Sequence, residues 1–306
     1  MWLVKRLGTN NKVLLVGDNP FHNISHLSQE RTRLRDKTTV LPEHAADLIH
    51  LAVENGANGF MFSVSETTLS ILKILKGRGE IEGLGLYGIV PYAYEYVKLA
   101  TQVGGISGLA KRVGTRIVTS GNLRGMATGM TGFLKMDPQA IMKTYLSYEM
   151  GRMRSSAGKE GSIRCVLLHE VITDLALALN LSWLFRSYVD YLQKKKIKPG
   201  FNTVNFAYLV GRLKDWNIDL NEIVIAAPFN KIGFQMVPSK EHCERALHSF
   251  SEPSLIAISI LAAGYLKLPE AVEYVASLPN IKGVAAGVSK AKHAQETFSM
   301  LRKTLG

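Results

Sequence analysis

The sequence is poor in cysteine: Cys165 and Cys243 are the only two among 306 residues. Two thiols cannot make a disulfide framework, so a packed core must hold the fold. Long hydrophobic runs are missing as well, and none approaches the roughly 18 consecutive apolar residues of a membrane helix. The opening residues, Met1-Trp2-Leu3-Val4-Lys5-Arg6, lack the apolar stretch and small-residue cleavage site of a secretory signal. Charged residues make up only 20% while hydrophobic ones reach 46%, the reverse of a disordered chain. These shortages lead to the expectation of a reduced, soluble, cytoplasmic globular protein with no membrane partner. Acid is the scarcer charge, with 25 acidic against 37 basic side chains and a net charge of +12. Such an excess attracts anions at long range.

Two basic clusters stand out. One runs from Arg31 to Lys37 and could guide an anionic substrate. The other is Lys194-Lys195-Lys196-Ile197-Lys198, which closes an apolar-periodic segment containing Phe185, Tyr188, Val189 and Leu192. Cations there complement a helix C-terminus, and the following Pro199-Gly200 is expected to stop the helix. Neither cluster interleaves the aromatics that stack on bases. The expected partner is therefore a small anionic ligand rather than nucleic acid; a homo-oligomer is left open.

Strand-like apolar runs alternate with helix-like periodic ones almost from end to end. The first run is 13–17. Pro42 then opens a helix with Ala45, Ala46, Leu48, Ile49, Ala52 and Val53 on one face, and Asn55-Gly56 stops it. Further strand-like runs fall at 59–64, 86–90, 116–119, 165–169, 201–205, 223–227, 255–261 and 283–288. Continuous apolar strands separated by amphipathic helices imply a parallel sheet covered by helices. Nine candidates lie close to the eight of a (β/α)8 TIM barrel, whose usual length is about 250 residues. No compositional break suggests a boundary, so residues 1–306 read as one α/β barrel domain. Either 86–90 or 116–119 is the extra run, and the glycine-rich stretch 121–133 reads as a flexible loop or lid.

In such barrels the chemistry sits where the strands end. After the first strand come Asp18, Asn19, His22 and His26; after the second come Ser63, Ser65 and Glu66. His169-Glu170 end the fourth run. A histidine titrates near neutrality and can act as acid or base, so His169 is the leading catalytic candidate. Glu170, Asp18, His22 and Glu66 are candidates for a second group. His169 and Glu170 are not expected to pair, because consecutive strand residues face opposite sides. Asn19, Asn202, Asn205, Asn230 and Lys231 are candidate substrate contacts, Lys231 also being readable as a Schiff-base lysine. Gly264, Gly287, Ser289 and Lys290 are candidates for holding a phosphate, with Ser289 capping the last helix. His22-x-x-x-His26 has a zinc-pair spacing but lacks the glutamate after the first histidine, and any metal is left open.

The C-terminal two-thirds resembles the aldo/keto reductase family of TIM barrels. Cys165-Val166-Leu167-Leu168-His169 is similar to its fourth strand, which ends in the active-site histidine. Residues 194–202, 223–230, 258–266 and 287–298 are similar to its fifth strand, sixth strand, seventh strand, and eighth strand with cofactor-phosphate helix; 43–62 is similar to its first helix and second strand. The resemblance implies a barrel fold and carbonyl reduction with NADPH by an aspartate, tyrosine, lysine and histidine. Only His169 matches that set. Ser63 stands where the aspartate should end the second strand, Ser65-Glu66-Thr67-Thr68 offers no tyrosine, and the lysine position corresponds to the Thr119-Ser120 neighbourhood.

The expectation from residues alone is an enzyme acting on a small phosphorylated or carboxylated metabolite by acid/base chemistry, with hydrolysis, lyase and isomerase chemistry all open. The alternatives are an NADPH-dependent aldo/keto reductase-like oxidoreductase, a non-catalytic ligand-binding barrel and a basic nucleic-acid binder, the last to be tested by salt-dependent retention on DNA or RNA.

Overall fold

Each short apolar run followed by an amphipathic segment becomes a strand and the helix that covers it. The computed structural model describes residues 12–22, 41–91 and 137–306. Its strands are β1 (Val13–Gly17), β2 (Gly59–Ser63), β3 (Gly85–Val90), β4 (Ser162–Leu168), β5 (Lys198–Asn202), β6 (Val224–Pro228), β7 (Ser254–Ile258) and β8 (Ile281–Gly287). Every strand pairs in parallel with the next, and β8 pairs back onto β1, so the sheet closes into the expected (β/α)8 barrel. Residues 86–90 form a barrel strand within β3. The other candidate for the extra run, 116–119, lies outside the described residues, as do the loop 121–133, the cluster 31–37 and His26.

Around the barrel lie α1 (Pro42–Glu54), α2 (Glu66–Gly77), α3 (Pro138–Ala157), α4 (Glu170–Ala178), α5 (Ser182–Lys194), α6 (Phe206–Asp215), α7 (Lys240–Ser249), α8 (Leu268–Ser277) and α9 (Ala291–Leu305). Alternation along each strand divides the core in two. Leu15, Met61, Ile89, Cys165, Leu167, Val224, Ala226, Ile256 and Ala285 fill the barrel interior. Residues of opposite parity, such as Val16, Phe60, Phe62, Val166 and Phe201, pack outward against the helices. There Phe60 stacks on Phe62 at 4.9 Å, and the Tyr188 hydroxyl donates to the Val166 carbonyl at 2.8 Å. The interior at β5 is narrow: a Cβ on Gly200 would lie 2.7 Å from Cys165 Sγ.

Local chemistry sets the helix ends. Pro42 occupies the first turn of α1, and the Asp137 carboxylate caps α3 by accepting from the Gln139 N–H at 2.9 Å. Ser65 and Thr68 form a reciprocal capping box at the start of α2. Several C-termini close on one residue in the left-handed region, Gly56, Gly79, Asn180, Lys196 or Asn217, whose N–H turns back to the helix. Two sequence expectations change here. Lys196 closes α5, so Pro199-Gly200 is not the helix stop but the middle of β5. Val53 is 38% exposed rather than part of the buried face of α1, because it sits off the arc held by Ala45, Ala46, Leu48, Ile49 and Ala52.

Candidate active site at the barrel mouth

Strand parity decides which polar residues look into the mouth. Ser63 continues the inward series through Met61, Asn202 continues it through Gly200, and His169 follows the inward Leu167. Leu167 pairs with Gly200 and Leu168 with Phe201, so one further step in that register sets His169 beside Asn202.

His169 is the N-cap of α4. Its Nδ1 accepts the Val171 N–H at 3.2 Å, which assigns the ring proton to Nε2. Its backbone N–H is held by the Val90 carbonyl at 2.8 Å, fixing the residue against the end of β3. Burial pulls its pKa below the usual histidine value, and the charge of nearby Asp18 pulls the other way; burial is the larger influence. The imidazole is therefore neutral at pH 7, a fixed Nε2–H donor rather than a cation.

Asp18 follows β1 and is buried. Its Oδ2 accepts the Ser63 N–H at 2.6 Å and lies 3.1 Å from His22 Nε2. The side chains of His22 and Asp18 are only 7% and 6% exposed. Asp18, His22 and Ser63 thus form one hydrogen-bonded group joining the ends of β1 and β2. A carboxylate does stand next to the end of β2, but β1 supplies it. Asn202 Oδ1 is buried with no hydrogen-bond partner among the described residues. An unmet buried acceptor costs about 1–3 kcal/mol, and a ligand N–H would relieve it.

The other candidates divide differently. Glu170 begins α4, and burial together with Asp174 one turn on raises its carboxyl pKa. Glu66 sits outside: its side chain is 73% exposed and its carboxylate meets Arg152 of α3 at 2.7 Å. That partner belongs to α3, in the helix layer around the barrel. Asn230 is fully buried, but its Nδ2 donates to the Phe234 carbonyl at 2.8 Å and its Oδ1 accepts the Phe234 N–H at 2.7 Å. It staples its own loop. Lys231 is exposed and paired with Glu270 at 2.7 Å, so it is a loop lysine and not a buried amine ready for a Schiff base. Asn205 heads α6, with its N–H on Thr203 Oγ1 at 2.9 Å. Asn19 is exposed in the short 3-10 turn Asn19–His22.

Of the candidates for an anion site, Gly264 has φ +96° and follows two left-handed alanines, Ala262 and Ala263. Gly287 has a structural reason to be glycine: a Cβ there would lie 2.9 Å from the Pro20 ring. The expected Ser289 cap is not made. Lys290 holds the N-cap position of α9 with no side-chain hydrogen bond, so the first-turn N–H groups receive no side-chain cap.

Sequence reading missed Asp174 and Thr203. Asp174 accepts a hydrogen bond from Thr203 Oγ1 and the Val204 N–H at 3.2 Å, tying α4 to the loop after β5 that carries Asn202. The spacing of Asp174 four residues after Glu170 was the available signal. Among the described residues no group of three or more His, Cys, Asp or Glu side chains could hold a metal ion. No described helix is long and apolar enough to cross a membrane.

No protein-family model matches this sequence, and no curated protein matches it. Similar solved structures do exist. A provisionally assigned aldo-keto reductase from Pseudomonas aeruginosa is 13% identical, with 97% of this chain and 91% of that chain covered at a TM-score of 0.57. The holo form of an aldo-keto reductase from Bacillus halodurans is also 13% identical, with 98% and 94% covered at a TM-score of 0.55. The chain therefore has an aldo/keto reductase-like TIM-barrel fold.

Proposed function

We propose that this chain is an NADPH-dependent oxidoreductase that reduces a small carbonyl compound at the barrel mouth. The observation that carries the reading is Asn202 Oδ1, a buried amide oxygen with no hydrogen-bond partner among the described residues, at the end of the strand next to the one that His169 follows. Similarity to aldo-keto reductase structures favours it over a hydrolase, lyase or isomerase acting on a free anionic metabolite.

The residues fit the cofactor chemically. Asn202 Oδ1 accepts an amide N–H, as a carboxamide provides. The N-terminus of α9, without a side-chain cap and flanked by Lys290 and Lys292, suits phosphate groups through its N–H donors and dipole. When bound, a reduced nicotinamide supplies the hydride. His169 donates its Nε2–H to the carbonyl oxygen and stabilises the negative charge that grows there. The oxygen takes its proton from water to complete the alcohol, since Ser65-Glu66-Thr67-Thr68 offers no tyrosine. The Asp18–His22 pair, 3.1 Å apart, holds the polar groups at the ends of β1 and β2 in place.

The test is calorimetric titration with NADPH, followed by loss of nicotinamide absorbance in the presence of small aldehydes and ketones. The expected result is saturable binding and turnover that falls about 10²–10³-fold in His169→Ala, the usual cost of removing one oxyanion donor. A folded protein that takes up no NADPH overturns the reading.

A further inference from the structure

The floor of the barrel, opposite the mouth, carries a second concentration of charge. In a (β/α)8 barrel strands begin and helices end on this face. Lys194, Lys195 and Lys196 close α5, Lys198 begins β5, Lys159 lies in the turn after α3, and Arg164 is in the first half of β4. β4 and β5 are neighbours, with Cys165 paired to Lys198, so these elements make one sector. All six side chains belong to exposed residues. None takes part in an ion pair among the described residues. Lys195 does lie over the Tyr191 ring at 5.8 Å.

The charge exceeds what the helices require. Two helix C-termini contribute about −0.5 each, and Glu160, Asp190 beside Lys194 and Glu222 level with Lys198 add three more negative charges. Six cations against roughly four negative charges leave a local excess of about two. Lys196 adds an independent observation. It adopts φ +58° in the closing turn of α5, where the corresponding turns use Gly56, Gly79, Asn180 and Asn217. A lysine in that conformation costs about 1 kcal/mol relative to glycine.

We infer that this floor sector binds the phosphate backbone of duplex nucleic acid without reading its sequence. Among the described residues the large exposed apolar side chains, such as Val171, Leu175, Leu179, Tyr208, Ile232 and Tyr265, lie outside this sector, which offers none of them for insertion into a bilayer. Among the described residues its one aromatic is the half-buried Tyr191, already covered by Lys195, which leaves little platform for unpaired bases to stack on. Long unpaired cations along one face suit a regular row of phosphates. The inference is independent of the reductase reading.

The experiment is retention of the full chain on a short random-sequence DNA duplex across a salt series. Contact with roughly five phosphates gives a slope of log K against log salt near −4.5, or about a 500-fold loss between about 50 and 200 mM salt. In Lys195→Gln/Lys196→Asn/Lys198→Gln the slope should flatten by about 2.7, while Lys290→Gln at the mouth should leave it unchanged. Asparagine suits the left-handed turn, and an unaltered thermal unfolding transition establishes that the triple variant is folded. No retention at low salt, an unchanged slope in the folded triple variant, or flattening by Lys290→Gln instead overturns the inference. So does binding to phosphatidylserine-containing vesicles without binding to the duplex.

Discussion

The Asp18 carboxylate accepts the Ser63 N–H at 2.6 Å, so the carboxylate at the end of β2 is delivered by β1. The bond crosses between adjacent strands and leaves the same Oδ2 in contact with His22. Replacing Asp18 by alanine strands a buried N–H and removes the charge felt by His169. Asp18→Ala should lose about 2–4 kcal/mol of stability, as expected for a buried charged acceptor, measured by urea unfolding. Asp18→Asn keeps an acceptor and should lose less, while carbonyl reduction falls in both. Equal stability of wild type and Asp18→Ala would contradict the burial of this group.

Protonation of His169 has a defined sign. Its folded pKa lies below the unfolded value of about 6.5. The unfolded chain therefore binds more protons than the folded one just below that pH, and stability rises with pH there. The contribution of His169 is fully present above about pH 6.5 and is lost as pH falls through that value toward the lowered folded pKa. Protonation also requires Nδ1 to give up the Val171 N–H. His169→Gln should flatten the acid limb of a stability–pH curve below about pH 6.5. A limb identical to wild type would assign it to another group.

Asn202 and Asn230 should separate ligand binding from loop structure. Asn202 Oδ1 has no partner among the described residues, so Asn202→Ala should alter stability by less than about 1 kcal/mol yet weaken NADPH binding about tenfold, the worth of one hydrogen bond. Asn230 uses both ends of its amide on Phe234. Asn230→Ala should cost about 2–3 kcal/mol, with little change in NADPH affinity once folded. The opposite pattern would exchange their roles.

Glu66 gives a plain negative expectation. Its pair with Arg152 is largely solvated on the Glu66 side. Glu66→Ala should change stability by less than about 0.5 kcal/mol and leave turnover at the wild-type rate. A large loss of turnover would return Glu66 to the catalytic set.

The barrel was legible because its signal is local and repeated. Runs such as Val13-Leu14-Leu15-Val16 and the Ala45–Ala52 periodicity report period-2 and period-3.6 burial directly. The position of His169 was legible for the same reason: it follows an apolar strand, and strand ends converge on the mouth. Boundaries were harder. Residues 201–205 read as a strand, but β5 is Lys198–Asn202. The proline that marks a helix stop in sequence is tolerated inside that strand.

What the sequence determined by itself was the alternation of elements, the parity of side chains along each strand and the surplus of positive charge, all properties of neighbouring residues. Tertiary structure alone decided partners. It took Glu66 to Arg152, Lys231 to Glu270 and Asn230 to Phe234, and brought Asp18 to Ser63, 45 positions away. A polar side chain lowers its free energy by finding whichever donor or acceptor the closed barrel brings within reach. That choice depends on closure and register, which no short window of residues contains.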